Sequence, residues 1–241
     1  VHAVDHPAFV QDMDIIAGEA GAHLCHIMLP KVECVEDVLK AEKALQRATG
    51  VRVPLHVLIE SPAAVHRAFE IAAHPAVQSI SFGLMDFVSA HGGAIPASAM
   101  GVRGQFEHPL VVRAKLEIAA ACHAFGKVPS HCVVTEFKDT AALQAAATQA
   151  SQSLGYTRMW SIHPAQIRPI LAAFAPAMAQ VQEAATILVA AAAQHWAPIS
   201  HEGVLHDRAS YRYYWQLLER AHRTAMPLPQ EARQWFVTEA A

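Results

Sequence analysis

Short, nearly unbroken apolar runs alternate along the chain with longer stretches whose apolar residues recur every three or four positions. The first kind suits a strand buried on both faces of a parallel sheet, and the second lays one apolar stripe along a helix. Residues 23–29 end at Pro30-Lys31 and lead into a helix predicted over residues 36–48. Its face is Val38, Leu39, Ala41, Ala44 and Leu45, and Gly50 is its stop. Residues 53–60 form the next run, and Ser61-Pro62 then starts a helix over residues 63–74. A third run covers 77–83. A loop over 91–104 separates it from a helix over 109–125 stopped by Gly126. Residues 128–134 precede a helix over 140–154 with Gly155 as its stop, and residues 158–163 precede a helix over 165–174.

This alternation predicts an α/β fold with helices outside a parallel sheet, either closed as a barrel or doubly wound. No G-x-G-x-x-G turn follows any strand, which counts against the nucleotide-binding version and favours a (β/α)8 TIM barrel. Five runs plus a strand remnant at residues 1–4 fall short of eight, so the barrel is expected to lack its first two or three strands. The absence of an initiator Met agrees with missing upstream residues. Past residue 176 the pattern changes to an Ala-rich helix over 178–196, a Gly- and His-containing link over 198–207, and a helix over 211–223 crowded with Tyr211, Tyr213, Tyr214 and Trp215. The expected organisation is a partial barrel over residues 1–176 and a C-terminal helical lid over 177–241, its aromatics serving as interface core.

Composition narrows the function. The chain has 241 residues, 53% hydrophobic and 16% charged, enough apolar material for a sizeable core. Its 18 Lys and Arg against 21 Asp and Glu form no basic tract, which argues against a nucleic-acid partner. Cys25, Cys34, Cys122 and Cys132 have no C-x-x-C spacing and point to reduced thiols in a cytoplasmic protein. No apolar run is long enough for membrane insertion, and no export signal precedes the first run.

The candidate chemistry sits at strand ends. Glu60 closes the second run and Asp86 follows the third, where a barrel or open sheet presents its active groups, so the pair reads as a site for a hard cation such as Mg2+. The competing reading for Glu60 is a cap on the next helix. Lys31, at the end of the first run, is a Schiff-base alternative. His163, at the end of the fifth, is either a substrate contact or a histidine bonded to backbone beneath the site. Among 16 histidines, His2 and His6 are the conspicuous i, i+4 pair, but Pro7 follows and a zinc site is disfavoured.

Five motifs resemble those of citrate lyase beta-subunit-like and malyl-CoA lyase enzymes. They are Leu29-Pro30-Lys31-Val32-Glu33, Ile59-Glu60-Ser61-Pro62-Ala63, Phe82-Gly83-Leu84-Met85-Asp86, Phe137-Lys138-Asp139 and Ser161-Ile162-His163-Pro164-Ala165-Gln166-Ile167, in the family's order. The resemblance implies a magnesium-dependent barrel that cleaves or forms a carbon–carbon bond in a 3-hydroxyacyl thioester, carried on CoA or an acyl-carrier protein. Glu60 and Asp86 match the metal carboxylates. Asp207, in Leu205-His206-Asp207-Arg208, resembles the lid aspartate that acts as acid/base at an adjacent subunit's site, and is alternatively the N-terminal acid of its helix. A homo-trimer or dimer of trimers is implied, and the substrate-carboxylate arginine would lie just before Val1. His2 stands where the family often has asparagine, and His131 near an expected aspartate. A thioesterase on the same scaffold and a non-catalytic binding paralogue are the other readings.

Overall fold

The computed structural model describes residues 1–50 and 52–236. They fall into two compact units, Val1–Phe174 and a second beginning at Ala175.

In the first unit five parallel strands pair strictly in chain order: β1 (Ile27–Leu29), β2 (Leu55–Ile59), β3 (Val77–Phe82), β4 (Val128–His131) and β5 (Arg158–Met159). A doubly wound sheet reverses its strand order at a switch point; this one never does, which is the arrangement of successive β/α units around a barrel wall. The sheet is open among the described residues. Period-2 alternation divides β2: Leu55, Val57 and Ile59 join Ile80 and Phe82 in the main apolar core, while His56 and Glu60 share the opposite face with Leu58 between them. Ile59 and Ile80 are fully buried, and truncating either to Ala costs about 2–5 kcal/mol.

Local chemistry sets the helix limits. Val35–Thr49 ends at Gly50 in the left-handed region, φ +67°. Gly126 and Gly155 do the same, at φ +63° and +73°, after Pro109–Ala124 and Thr140–Ser153. Asp139 caps Thr140–Ser153 by accepting the Ala142 N–H at 2.9 Å.

Several expectations are corrected. Residues 1–4 form no strand: the His2 backbone N–H donates to Asp12 Oδ2 at 2.6 Å, tying the segment to a helical turn over Phe9–Asp12. The helix expected over 63–74 is broken at Arg67 into Pro62–His66 and Ala68–Ala73. The run 158–163 is a strand for two residues only, because the Ile162 N–H turns aside to the Gln166 side-chain oxygen at 2.9 Å.

The second unit packs Met178–Ala193 with Arg208–Arg223 around Val181, Ile187, Leu188, Leu217 and Leu218. The expected link over 198–207 is instead an antiparallel hairpin, β6 (Ile199–His201) and β7 (Val204–His206). Glu202 and Gly203, at φ +49° and +79°, form its two-residue turn, the twist that hairpins favour. No helix among the described residues is long and apolar enough to cross a membrane.

Candidate metal centre

β1, β2 and β3 end side by side. Glu60 directly follows β2 on the face shared with His56, and its side chain is 8% exposed. The suspicion that it caps the next helix is answered by Ser61, which fills that role by accepting the Ala64 N–H at 3.0 Å. Ser61 also donates its hydroxyl to Glu33 Oε2 at 2.7 Å, and Arg67 donates to the Glu33 carbonyl oxygen at 3.2 Å, so the residue after Glu60 is fixed to the loop after β1.

Asp86 lies in the first turn of a short helix, Leu84–Ser89, that follows β3 and precedes the loop expected over 91–104. Lys31, after β1, adopts φ +53° and places Nζ 3.4 Å from Asp86 Oδ1. The structure therefore brings Lys31, Glu60 and Asp86 into one electrostatic group.

That group has an unmet demand. Glu60 Oε2 is buried with no hydrogen-bond partner among the described residues, a costly state for a carboxylate oxygen. Burial first, and then the Asp86 carboxylate, hold the Glu60 carboxyl above its ordinary value, while Lys31 acts in the opposite direction. Gly83 makes room for it: a Cβ there would collide with Glu60 Cγ and stand 2.8 Å from Oε1. In the sequence Gly83 stands out only as a member of its motif, although a lone glycine at a strand end is a signal of close approach.

Two hard oxygen donors with one unpartnered atom fit a divalent cation of the magnesium type, which keeps several waters and needs few protein ligands. Groups of three or more His, Cys, Asp or Glu suited to a metal are absent among the described residues, so a closed zinc-type cage has no counterpart here.

The other singled-out residues lie elsewhere. His163 is exposed rather than packed beneath a site; its Nδ1 accepts the Ala165 N–H at 3.1 Å and its ring stacks on Phe137. His2 and His6 stack at 4.0 Å, and His2 Nδ1 lies 2.7 Å from Asp12 Oδ2. His131 is fully buried between Phe106 and Tyr156, its Nδ1 bonded to the Cys132 carbonyl at 2.9 Å, and burial drives its pKa well down. Asp207 belongs to the second unit and is the N-cap of Arg208–Arg223, accepting the Ala209 N–H at 2.9 Å.

Below Glu60 on the same face, His56 bonds Ser79 Oγ through Nδ1 at 2.6 Å and Ser81 Oγ through Nε2 at 2.8 Å. Burial, reinforced by His26 and Arg158, lowers its pKa to about 4, so the ring is neutral.

Comparison with known proteins gives a consistent result. Residues 1–164 match the pattern described as HpcH/HpaI aldolase/citrate lyase. The L-malyl-CoA/beta-methylmalyl-CoA lyase of Cereibacter sphaeroides is 32% identical over 208 residues, 79% of this chain and 64% of that protein, so the chain spans under two thirds of that curated relative. A citrate lyase from Burkholderia xenovorans LB400 is 48% identical, with a TM-score of 0.84 over 98% of this chain and 76% of its own. Protein CitE from Mycobacterium tuberculosis, solved with magnesium, acetoacetate and coenzyme A, shares the fold at 23% identity, with a TM-score of 0.72 over 92% of this chain and 76% of its own.

Proposed function

Because the chain belongs to the HpcH/HpaI aldolase/citrate lyase family, we propose that it is a magnesium-dependent lyase acting on a 3-hydroxyacyl-CoA thioester such as malyl-CoA or citramalyl-CoA, releasing an acyl-CoA and a 2-oxoacid. The observation that carries this reading is the buried, unpartnered Oε2 of Glu60 beside Asp86 at the ends of neighbouring parallel strands.

Glu60 and Asp86 would hold the cation. When bound, it supplies Lewis acidity that lowers the pKa of the substrate alcohol and anchors the 2-oxoacid. Lys31 keeps the rim from becoming purely negative, so an anionic substrate can approach two carboxylates. Gly83 and the Ser61–Glu33 hydrogen bond hold the Glu60 side chain and backbone in place. In this reading residues 1–176 are the barrel part and 177–241 the lid. Asp207 moves the proton at the α-carbon of the acyl product from an adjacent copy in a homo-trimer or dimer of trimers. Its capping role, which fixes the carboxylate at a helix start, is compatible with a group presented by a moving element.

The test is product analysis. Incubated with malyl-CoA or citramalyl-CoA and Mg2+, the protein is expected to release acetyl-CoA and glyoxylate or pyruvate, and chelation stops the reaction. Free CoA with an intact hydroxyacid would overturn the lyase in favour of a thioesterase.

A further inference from the structure

The second unit carries a cleft that the lyase chemistry does not use. Its volume is about 670 Å3, and its lining is Leu188, Trp196, Arg208, Tyr211, Arg212 and Trp215. That is within the range of small-molecule sites, about 300–1,000 Å3. Four of the six come from one helix, Arg208–Arg223, at spacings i, i+3, i+4 and i+7, so two guanidinium groups and two aromatic rings form a single stripe. Trp196 faces that stripe from the end of Met178–Ala193, its ring edge-on to Tyr211 at 6.0 Å between centroids. The Tyr211 hydroxyl donates to the carbonyl oxygens of Ala197 at 2.8 Å and His206 at 3.1 Å, which fixes the floor.

Two features go beyond packing. Among the described residues the side chains of Arg208 and Arg212 have no hydrogen-bond, ion-pair or ring partner, although the chain as a whole carries a net charge of −3. His195 and Trp196 both adopt positive φ, +52° and +64°. For a residue as bulky as tryptophan that backbone is strained, and such strain concentrates where a side chain is held for a ligand. Trp196 is nevertheless 48% exposed, so the strain does not serve to bury the indole.

We propose that this cleft binds a nucleoside phosphate, the base stacked on the exposed indole of Trp196 and the phosphate held by Arg208 and Arg212. Guanidinium groups pair phosphate oxygens two at a time, and aromatic faces accept any base. Two sources carry this chemistry: the nucleotide end of a CoA thioester, which rests on the lyase reading, and a free nucleotide, which does not.

Titration of ADP, CoA and pantetheine into the whole chain, followed by tryptophan emission and calorimetry, tests the site. ADP, CoA or both are expected to bind saturably with quenching, and pantetheine, lacking the nucleotide, leaves the emission unchanged. Arg208→Ala and Arg212→Ala, both at exposed positions, each weaken binding about tenfold, and Trp196→Leu removes most of the quenching. CoA binding much more tightly than ADP assigns the cleft to the thioester; comparable affinities assign it to a free nucleotide. The proposal is overturned by the absence of saturable binding for both nucleotides, or by affinities unchanged in both arginine variants. Magnesium-dependent cleavage is measured separately, so failure of the lyase reading leaves the ADP result standing.

Discussion

His56 in β2 and Glu60 just past its end sit four positions apart on one face and are about equally buried, 3% and 8% exposed, yet they are opposites. His56 has a serine hydroxyl on each ring nitrogen and is neutral, whereas Glu60 keeps one carboxylate oxygen without any partner. Buried polar groups that are fully satisfied specify the fold; one left short is where an additional ligand gains most. The contrast separates scaffold from site along one strand and the residue past its end.

The strongest way to break the contrast is to remove the site. Glu60→Ala and Asp86→Ala are each expected to lower magnesium-dependent cleavage by about a thousandfold, several kcal/mol of transition-state stabilisation, with the far-ultraviolet spectrum unchanged. If either variant keeps wild-type turnover, the metal assignment fails.

Acid tests the scaffold side. The folded pKa of His56 lies below its unfolded value, so its contribution is complete above pH 6.5 and is lost as pH falls toward 4. Denaturant unfolding at pH 7 and pH 4.5 should reveal this loss, at most about 3 kcal/mol over the full window. His56→Gln should flatten that slope.

Gly83→Ala probes how tightly the two halves of the contrast are drawn. Its new methyl displaces Glu60, and magnesium affinity by calorimetry is expected to drop about tenfold. The smallest effect belongs to Glu60→Gln. Because burial raises the Glu60 pKa, the ionised form costs stability that grows as pH rises through the folded value. The neutral amide should gain about 1 kcal/mol in metal-free thermal melts at pH 7, and the melting temperature should stop responding to Mg2+.

Much of this was legible from local signals. Gly50, Gly126 and Gly155 stop helices because only a residue without a Cβ enters that backbone region freely, and the apolar periods located all five parallel strands. What escaped depended on contacts that apolar spacing does not record. The last strand is cut short by a glutamine side chain, and Arg67 breaks a helix whose apolar spacing continues across it. The hairpin turns on Glu202-Gly203, without the Asn or Asp that usually marks such a turn. At the site, two carboxylates at strand ends could be read directly. The clearance at Gly83 and the orphaned oxygen arise from the register of β2 against β3, which residue order alone does not give.

The three helix-stopping glycines, Gly50, Gly126 and Gly155, all precede strands, at the end of the sheet away from Glu60 and Asp86. These helix stops and the carboxylates thus occupy opposite poles. Substitution at the carboxylate pole leaves the chain reversals intact, whereas exchange of a glycine at the other pole is expected to lower expression yield first.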